Sequence, residues 1–158
     1  QGRLLWGRGR LGRNGIGYFQ DRILAGFVAD CQYGRREDRM NGGRLTTHVL
    51  DTARGKPAAG VKITLFRVSG MSHKKIAETV TNSDGRTEAP MLEGRAFSTG
   101  SYELVFSVGR YLRTTGQNTG EVLFLDEVPI RFGVPDASQH YHVPLLVSPW
   151  SYATYRGS

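Results

Sequence analysis

From Arg44 onward the sequence alternates with a period of two, and clusters of turn-forming residues cut the alternation into short runs. Leu45, Thr47 and Val49 alternate with Thr46, His48 and Leu50. Val61, Ile63 and Leu65 alternate with Lys62, Thr64 and Phe66, and Tyr102, Leu104, Phe106 and Val108 with Glu103, Val105 and Ser107. His140, His142 and Pro144 do the same with Tyr141, Val143 and Leu145. This period sends successive side chains to opposite faces of a strand, so each run can bury one face and solvate the other. Arg54-Gly55-Lys56-Pro57, Ser69-Gly70, Asn82-Ser83-Asp84-Gly85 and Gly133-Val134-Pro135-Asp136 separate the runs with turn chemistry. Roughly six to eight strands of this kind predict an all-β antiparallel sandwich. One segment, from about Arg110 to Gly116, lacks β-alternation and is expected to form a short helix that glycine ends. Pro144 and Pro149 lack a backbone donor, so the last strands are expected at edges or bulges.

A different regime precedes Met40. Residues 1–39 hold eight arginines against four acids and eight of the 21 glycines, whereas all six prolines come later. Glycine interrupts every candidate element there, so the segment reads as a disordered Arg/Gly-rich tail. Acids break the basic run and aromatics are few, which argues against a nucleic-acid arm. The apolar stretch from Ile23 to Ala29 is at the lower limit for a signal-peptide core, and Ala29-Asp30-Cys31 is a poor cleavage site. A cytoplasmic location is therefore expected ahead of a periplasmic or secreted one. Met40 stands as an alternative natural start, which would make residues 1–39 foreign to the native protein and residues 40–158 its single domain. No apolar run approaches the ~20 residues of a membrane-spanning helix, and no membrane partner is expected. The one cysteine, Cys31, excludes a disulfide framework and a zinc site built on paired cysteines.

The chemistry-bearing residues are few. The chain has no Gly-rich phosphate loop followed by Lys-Ser/Thr, no Gly-x-Ser-x-Gly elbow and no His-Glu-x-x-His. Four histidines remain: His48, His73, His140 and His142. His73 lies beside a turn in Ser72-His73-Lys74-Lys75 and reads as a solvated residue. His48 and His142 stand inside apolar strands, where a lone histidine is more often a packing residue than a catalyst. His140 and His142 share a face, a spacing that suits a metal, but no carboxylate or cysteine accompanies them, so no metal is expected. Arg86 alone reads as an exposed turn arginine, and the last residues, Tyr152 to Ser158, as a frayed end.

Three motifs change those weights together. They are Leu45-Thr46-Thr47-His48-Val49-Leu50-Asp51 with Gly55-Lys56-Pro57-Ala58, then Thr81-Asn82-Ser83-Asp84-Gly85-Arg86, then His140-Tyr141-His142-Val143-Pro144-Leu145-Leu146 with Ser148-Pro149 and Tyr155-Arg156-Gly157-Ser158. Over about residues 44–158 the chain resembles the 5-hydroxyisourate hydrolases, also called transthyretin-related proteins. The resemblance implies a transthyretin-like sandwich of two four-stranded sheets with one short helix. It implies a homotetramer, a dimer of dimers, with active sites in clefts at the dimer–dimer interface.

The implied reaction adds water to a ring carbonyl of 5-hydroxyisourate and opens the six-membered ring at an amide-type C–N bond, in urate catabolism. His48, Arg86, His142 and Ser158 would be catalytic, with His48, Arg86 and Tyr155 on the substrate, and Arg156 and Gly157 structural. The sequence leaves open which histidine activates the water. No cofactor is implied, because histidine can serve as base or acid unaided. A transthyretin-like carrier of small ligands, without catalysis, is the alternative, and the Tyr155–Ser158 terminus argues against it.

Overall fold

The computed structural model describes residues 42–117 and 120–157. The expected tail, Met40, Cys31 and Ser158 lie outside the described residues. In chain order the elements are β1 (Arg44–Thr46), β2 (Val49–Asp51), β3 (Lys56–Pro57), β4 (Lys62–Ser69), β5 (Ser72–Val80) and β6 (Leu92–Glu93). A 3₁₀ turn (Gly94–Ala96) leads to β7 (Gly100–Ser107) and α1 (Val108–Thr114), then β8 (Glu127–Val134), β9 (His140–His142), β10 (Leu145–Ser148) and β11 (Ser151–Thr154).

One layer is an antiparallel sheet in the order β5-β4-β7-β8. Its inward positions are those the alternation marks: Ile63, Leu65, Leu104 and Phe106 have no exposed surface, and Tyr102 almost none. They join Leu45, Val49, Tyr141, Val143, Leu145 and Val147 from the other layer in a single apolar cluster. Burial of such side chains contributes roughly 1.5–3 kcal/mol each, and it fixes the register because a one-residue slip would turn every one outward.

The expected sandwich is present, with two particulars that the alternation does not reveal. First, the second layer is broken across its middle into two ladders, β6-β1-β9 and β11-β10-β2-β3. The break falls at Thr47–His48 in one strand line and Val143–Pro144 in its neighbour. Pro144 falls at that interruption, between β9 at the edge of one ladder and β10 inside the other, and β11, after Pro149, is an edge strand as expected. The seam is bridged by Val143 N–H donating to the Thr46 carbonyl (3.0 Å), Leu145 N–H to the His48 carbonyl (2.8 Å) and the Thr47 hydroxyl to the Val143 carbonyl (2.8 Å). Second, these neighbours run parallel: Thr46 pairs with His142 and Val49 with Leu145. The rest of the pairing is antiparallel, as expected.

The helix begins two residues before its sequence-based start. Gly116, at φ +69°, ends it with bonds from Gly116 N–H to the Arg113 carbonyl and Gln117 N–H to the Leu112 carbonyl, the paired pattern of a left-handed C-cap. Asp51, buried on β2, docks the helix. Its carboxylate accepts from the Tyr111 hydroxyl and the Gln117 amide, each at 2.7 Å, and from the Arg54 N–H at 2.9 Å. Burial and this carboxylate together raise the Tyr111 phenol above its usual range.

Candidate active site

The seam in the second layer is where the chemistry gathers. On β1 and its continuation, Leu45, Thr47 and Val49 turn inward and are buried, so Thr46 and His48 share the opposite face. Parallel pairing then lays Thr46 beside His142.

The Asn82-Ser83-Asp84-Gly85 turn delivers Arg86 to the same place. The Asn82 side-chain oxygen accepts from Asp84 N–H (3.0 Å) and Arg86 N–H (3.1 Å), and Asn82 N–H donates to the Arg86 carbonyl (2.8 Å). The Gly85 carbonyl in turn accepts from Val49 N–H at 2.8 Å, and Arg86 bridges His48 across the backbone. Gly85 is required by geometry: its φ is +71°, and a Cβ there would collide with the Val49 carbonyl oxygen and crowd the His48 ring. Gly85→Ala is therefore expected to destabilise the fold by at least about 2 kcal/mol through left-handed strain and backbone collision. A urea midpoint lowered at unchanged m-value is the measurement that checks this.

An open cleft of ≈ 450 Å³ is lined by Arg44, Thr46, Arg86, Glu88, His140 and His142, among others. His48 is not on its wall in the single chain. It adjoins the cleft through Arg86, to which it is bridged, and His142, whose imidazole feels its charge. Burial and then Arg86 hold His48 below the ordinary imidazole range, against an opposing pull from the Asp84 carbonyl and charge. Burial, Arg86, His48 and His140 lower His142 in the same direction. Burial and Arg44 lower His140. All three rings are thereby favoured as neutral imidazoles near pH 7.

The hydrogen bonding distinguishes the rings. His48 Nε2 is buried with no partner among the described residues. An imidazole nitrogen buried without a partner is better left as a lone pair than as an unsatisfied N–H, which favours the proton on Nδ1. His142 Nδ1 instead lies 2.9 Å from the Thr46 hydroxyl, which also lies 2.7 Å from His140 Nε2. Among the described residues, no three His, Cys, Asp or Glu side chains gather as metal ligands.

Of the residues expected at the site, His48, Arg86, His142 and Gly157 converge. Gly157 exchanges two backbone bonds with His142, at 2.7 and 3.2 Å, and a Cβ on it would press on the His142 ring. Arg156 acts as an anchor: its guanidinium donates to the Gln139 side chain at 2.6 Å and lies 4.6 Å over the Tyr141 ring. Within one protomer Tyr155 is not in the cleft. It is 57% exposed and lines, with Arg156, Tyr141 and Thr154, a separate hollow of ≈ 240 Å³. Residue-by-residue reading gave no role to Thr46 or Arg44. The signal available was parity, since Thr46, His48, His140 and His142 all fall on outward positions of their strands.

Comparison with known proteins bears on the fold and on the span that carries the motifs. The model of the HIUase/Transthyretin family matches residues 45–157, the span from β1 to the Gly157 bridge. A protein of Rhizobium meliloti (strain 1021) named 5-hydroxyisourate hydrolase 2 is 57% identical over 116 residues, covering 73% of this chain and 97% of the relative. The crystal structure of an (S)-allantoin synthase superposes with a TM-score of 0.72 at 48% identity, over 76% of this chain and 45% of that longer one. The structure of Klebsiella pneumoniae 5-hydroxyisourate hydrolase gives 0.61 at 32% identity, over 73% of this chain and 99% of the other. Motifs, broken sandwich and family match coincide on the same residues, and the chain belongs to the HIUase/Transthyretin family.

Proposed function

We propose that this protein hydrolyses 5-hydroxyisourate, opening the six-membered ring with water at a cyclic amide C–N bond. The observation that carries the reading is a polar cleft lined by the Arg86 guanidinium and a neutral imidazole on His142, with a buried imidazole nitrogen of His48, unpartnered among the described residues, adjoining it through Arg86. Among relatives, the 57% identity to a protein named for this activity supports it.

With its proton on Nδ1, His48 would offer the Nε2 lone pair, which takes the proton from water as the water oxygen bonds to the ring carbonyl carbon. Arg86 presents a planar fork of donors to the substrate oxygens and stabilises charge on the attacked carbonyl. As the C–N bond breaks, the leaving nitrogen takes a proton from His142 Nε2. The cleft wall carries two arginines and two histidines, a poor lining for an apolar ligand, because polar groups left unpaired against it are costly. This disfavours a pure carrier.

A homotetramer completes the site in this reading. β8 and β11 each keep one unpaired edge, and Tyr155 stands exposed beside the chain's last described residues. Assembly would close the cleft and bring Tyr155 against the purine edge from across the interface, with Ser158 in the same network.

The test is loss of 5-hydroxyisourate freshly made from urate by a uricase, followed by absorbance with native mass in parallel. Decay no faster than the spontaneous rate at micromolar protein would defeat the assignment. The pH profile has a definite sign. The base must be neutral, and burial with Arg86 lowers its protonation range. The acid limb of kcat/KM is therefore expected below pH 6.5, the ordinary imidazole value, with activity lost as pH falls through it.

A further inference from the structure

His142 faces a difficulty that His48 does not. Burial and the charges of Arg86, His48 and His140 keep it neutral. A neutral imidazole that simply gives up its Nε2 proton would become an imidazolate, which is a poor outcome near pH 7. The ring can act as an acid only if Nδ1 gains a proton as Nε2 loses one.

The structure supplies a donor at that nitrogen. The Thr46 hydroxyl lies 2.9 Å from His142 Nδ1 and 2.7 Å from His140 Nε2, and the two rings stand 6.4 Å apart with the hydroxyl between them. A hydroxyl has one proton, so it cannot donate to both rings. It can donate to one while accepting from the other.

We propose that His140, Thr46 and His142 form a two-state proton wire, in which Thr46 and His140 are positioning residues that reload His142 from solvent. In the loaded state His140 Nε2–H donates to Thr46, and Thr46 O–H donates to His142 Nδ1. His142 then carries its proton on Nε2, toward the cleft. When Nε2–H passes to the leaving nitrogen, the Thr46 proton moves to His142 Nδ1 and the His140 Nε2 proton moves to Thr46. His140 Nδ1 takes a proton from water, so no ring is left charged. The balance is one proton out of His142 and one into His140. The proton that His48 takes from the attacking water returns to solvent. His140 is half-buried and lines the same open cleft, so its outer nitrogen has access to water. This role rests on the proposed hydrolysis, but its tautomer signature does not.

The wire makes one requirement that packing alone would not. In the neutral protein His140 and His142 must carry their protons on the same-named nitrogen, both Nε2 or both Nδ1. Long-range 15N–1H spectra of histidine-labelled full-length protein read this directly, without substrate. The expected result is matched tautomers in the wild type and in Thr46→Ser, and independent tautomers in Thr46→Val. Kinetically, Thr46→Val and His140→Phe should each lower kcat by roughly 10²-fold, the low end of what a positioned acid contributes, with KM little changed. Thr46→Ser should retain most of the activity. His142 as Nδ1–H together with His140 as Nε2–H in the resting wild type would overturn the wire, because the hydroxyl would then relay nothing. So would a Thr46→Val enzyme with unchanged kcat. Matched tautomers in a protein that leaves 5-hydroxyisourate untouched would uphold the wire and fell only the substrate assignment.

Discussion

Replacing His48 with alanine is expected to lower kcat on 5-hydroxyisourate by roughly 10²–10⁴-fold, the span of a positioned general base. The expectation rests on one atom. Nε2 of His48 is buried without a partner among the described residues, so it is the nitrogen left to receive the proton. The two histidines that line the cleft differ in this: His142 and His140 are both tied to the Thr46 hydroxyl. Among the described residues, the bonds the fold draws from His48 are those of its backbone. Its backbone carbonyl accepts from Leu145 N–H and is retained by any substitution. Native mass and thermal midpoint should therefore stay close to wild type while single-turnover rates collapse. A His48→Ala enzyme within threefold of wild type would transfer the base role elsewhere (about 0.7 kcal/mol in barrier).

Arg86→Ala is the second large effect, a loss of roughly 10²–10³-fold in kcat/KM, as for removal of a donor aimed at developing charge. Arg86→Lys is expected to recover little, since a point charge cannot reproduce the planar fork. A further signature separates this from simple misplacement. Arg86 is one of the charges that hold His48 and His142 below their ordinary range. Removing it lets both rise, so the acid limb of the residual activity should move to higher pH, toward the unperturbed imidazole value. A pH–rate profile of the alanine variant with an unshifted limb would show that the guanidinium does not act on the two rings.

The layers of the sandwich were legible because they depend on a local rule. Ile63, Leu65, Leu104 and Phe106 are buried, as their alternation required, and Gly116 ends the helix. The parallel pairing of β1 with β9 was not legible, because no local pattern distinguishes a parallel from an antiparallel neighbour far along the chain. The motif resemblance named His48, Arg86 and His142 together, and they do meet. It also suggested Tyr155, which in one protomer points into a different hollow. Thr46 was quoted within a motif but given no task. A threonine between two histidines is a contact across strands and leaves no mark in either segment. The buried Asp51 likewise stands in a motif with no task of its own, because it anchors Tyr111 and Gln117 from another part of the chain.

The Thr46–His142 neighbours are separated by 96 positions along the chain. During synthesis Thr46 leaves the ribosome long before His142, and closing so long a loop is entropically costly until later strands reward it. Catalytic competence is thus acquired in the last step of construction, when β9 slots beside β1 and Gly157 settles on His142. A nascent or prematurely stopped polypeptide could hold most of the apolar cluster and still possess no catalyst, which makes turnover a sensitive reporter of finished folding.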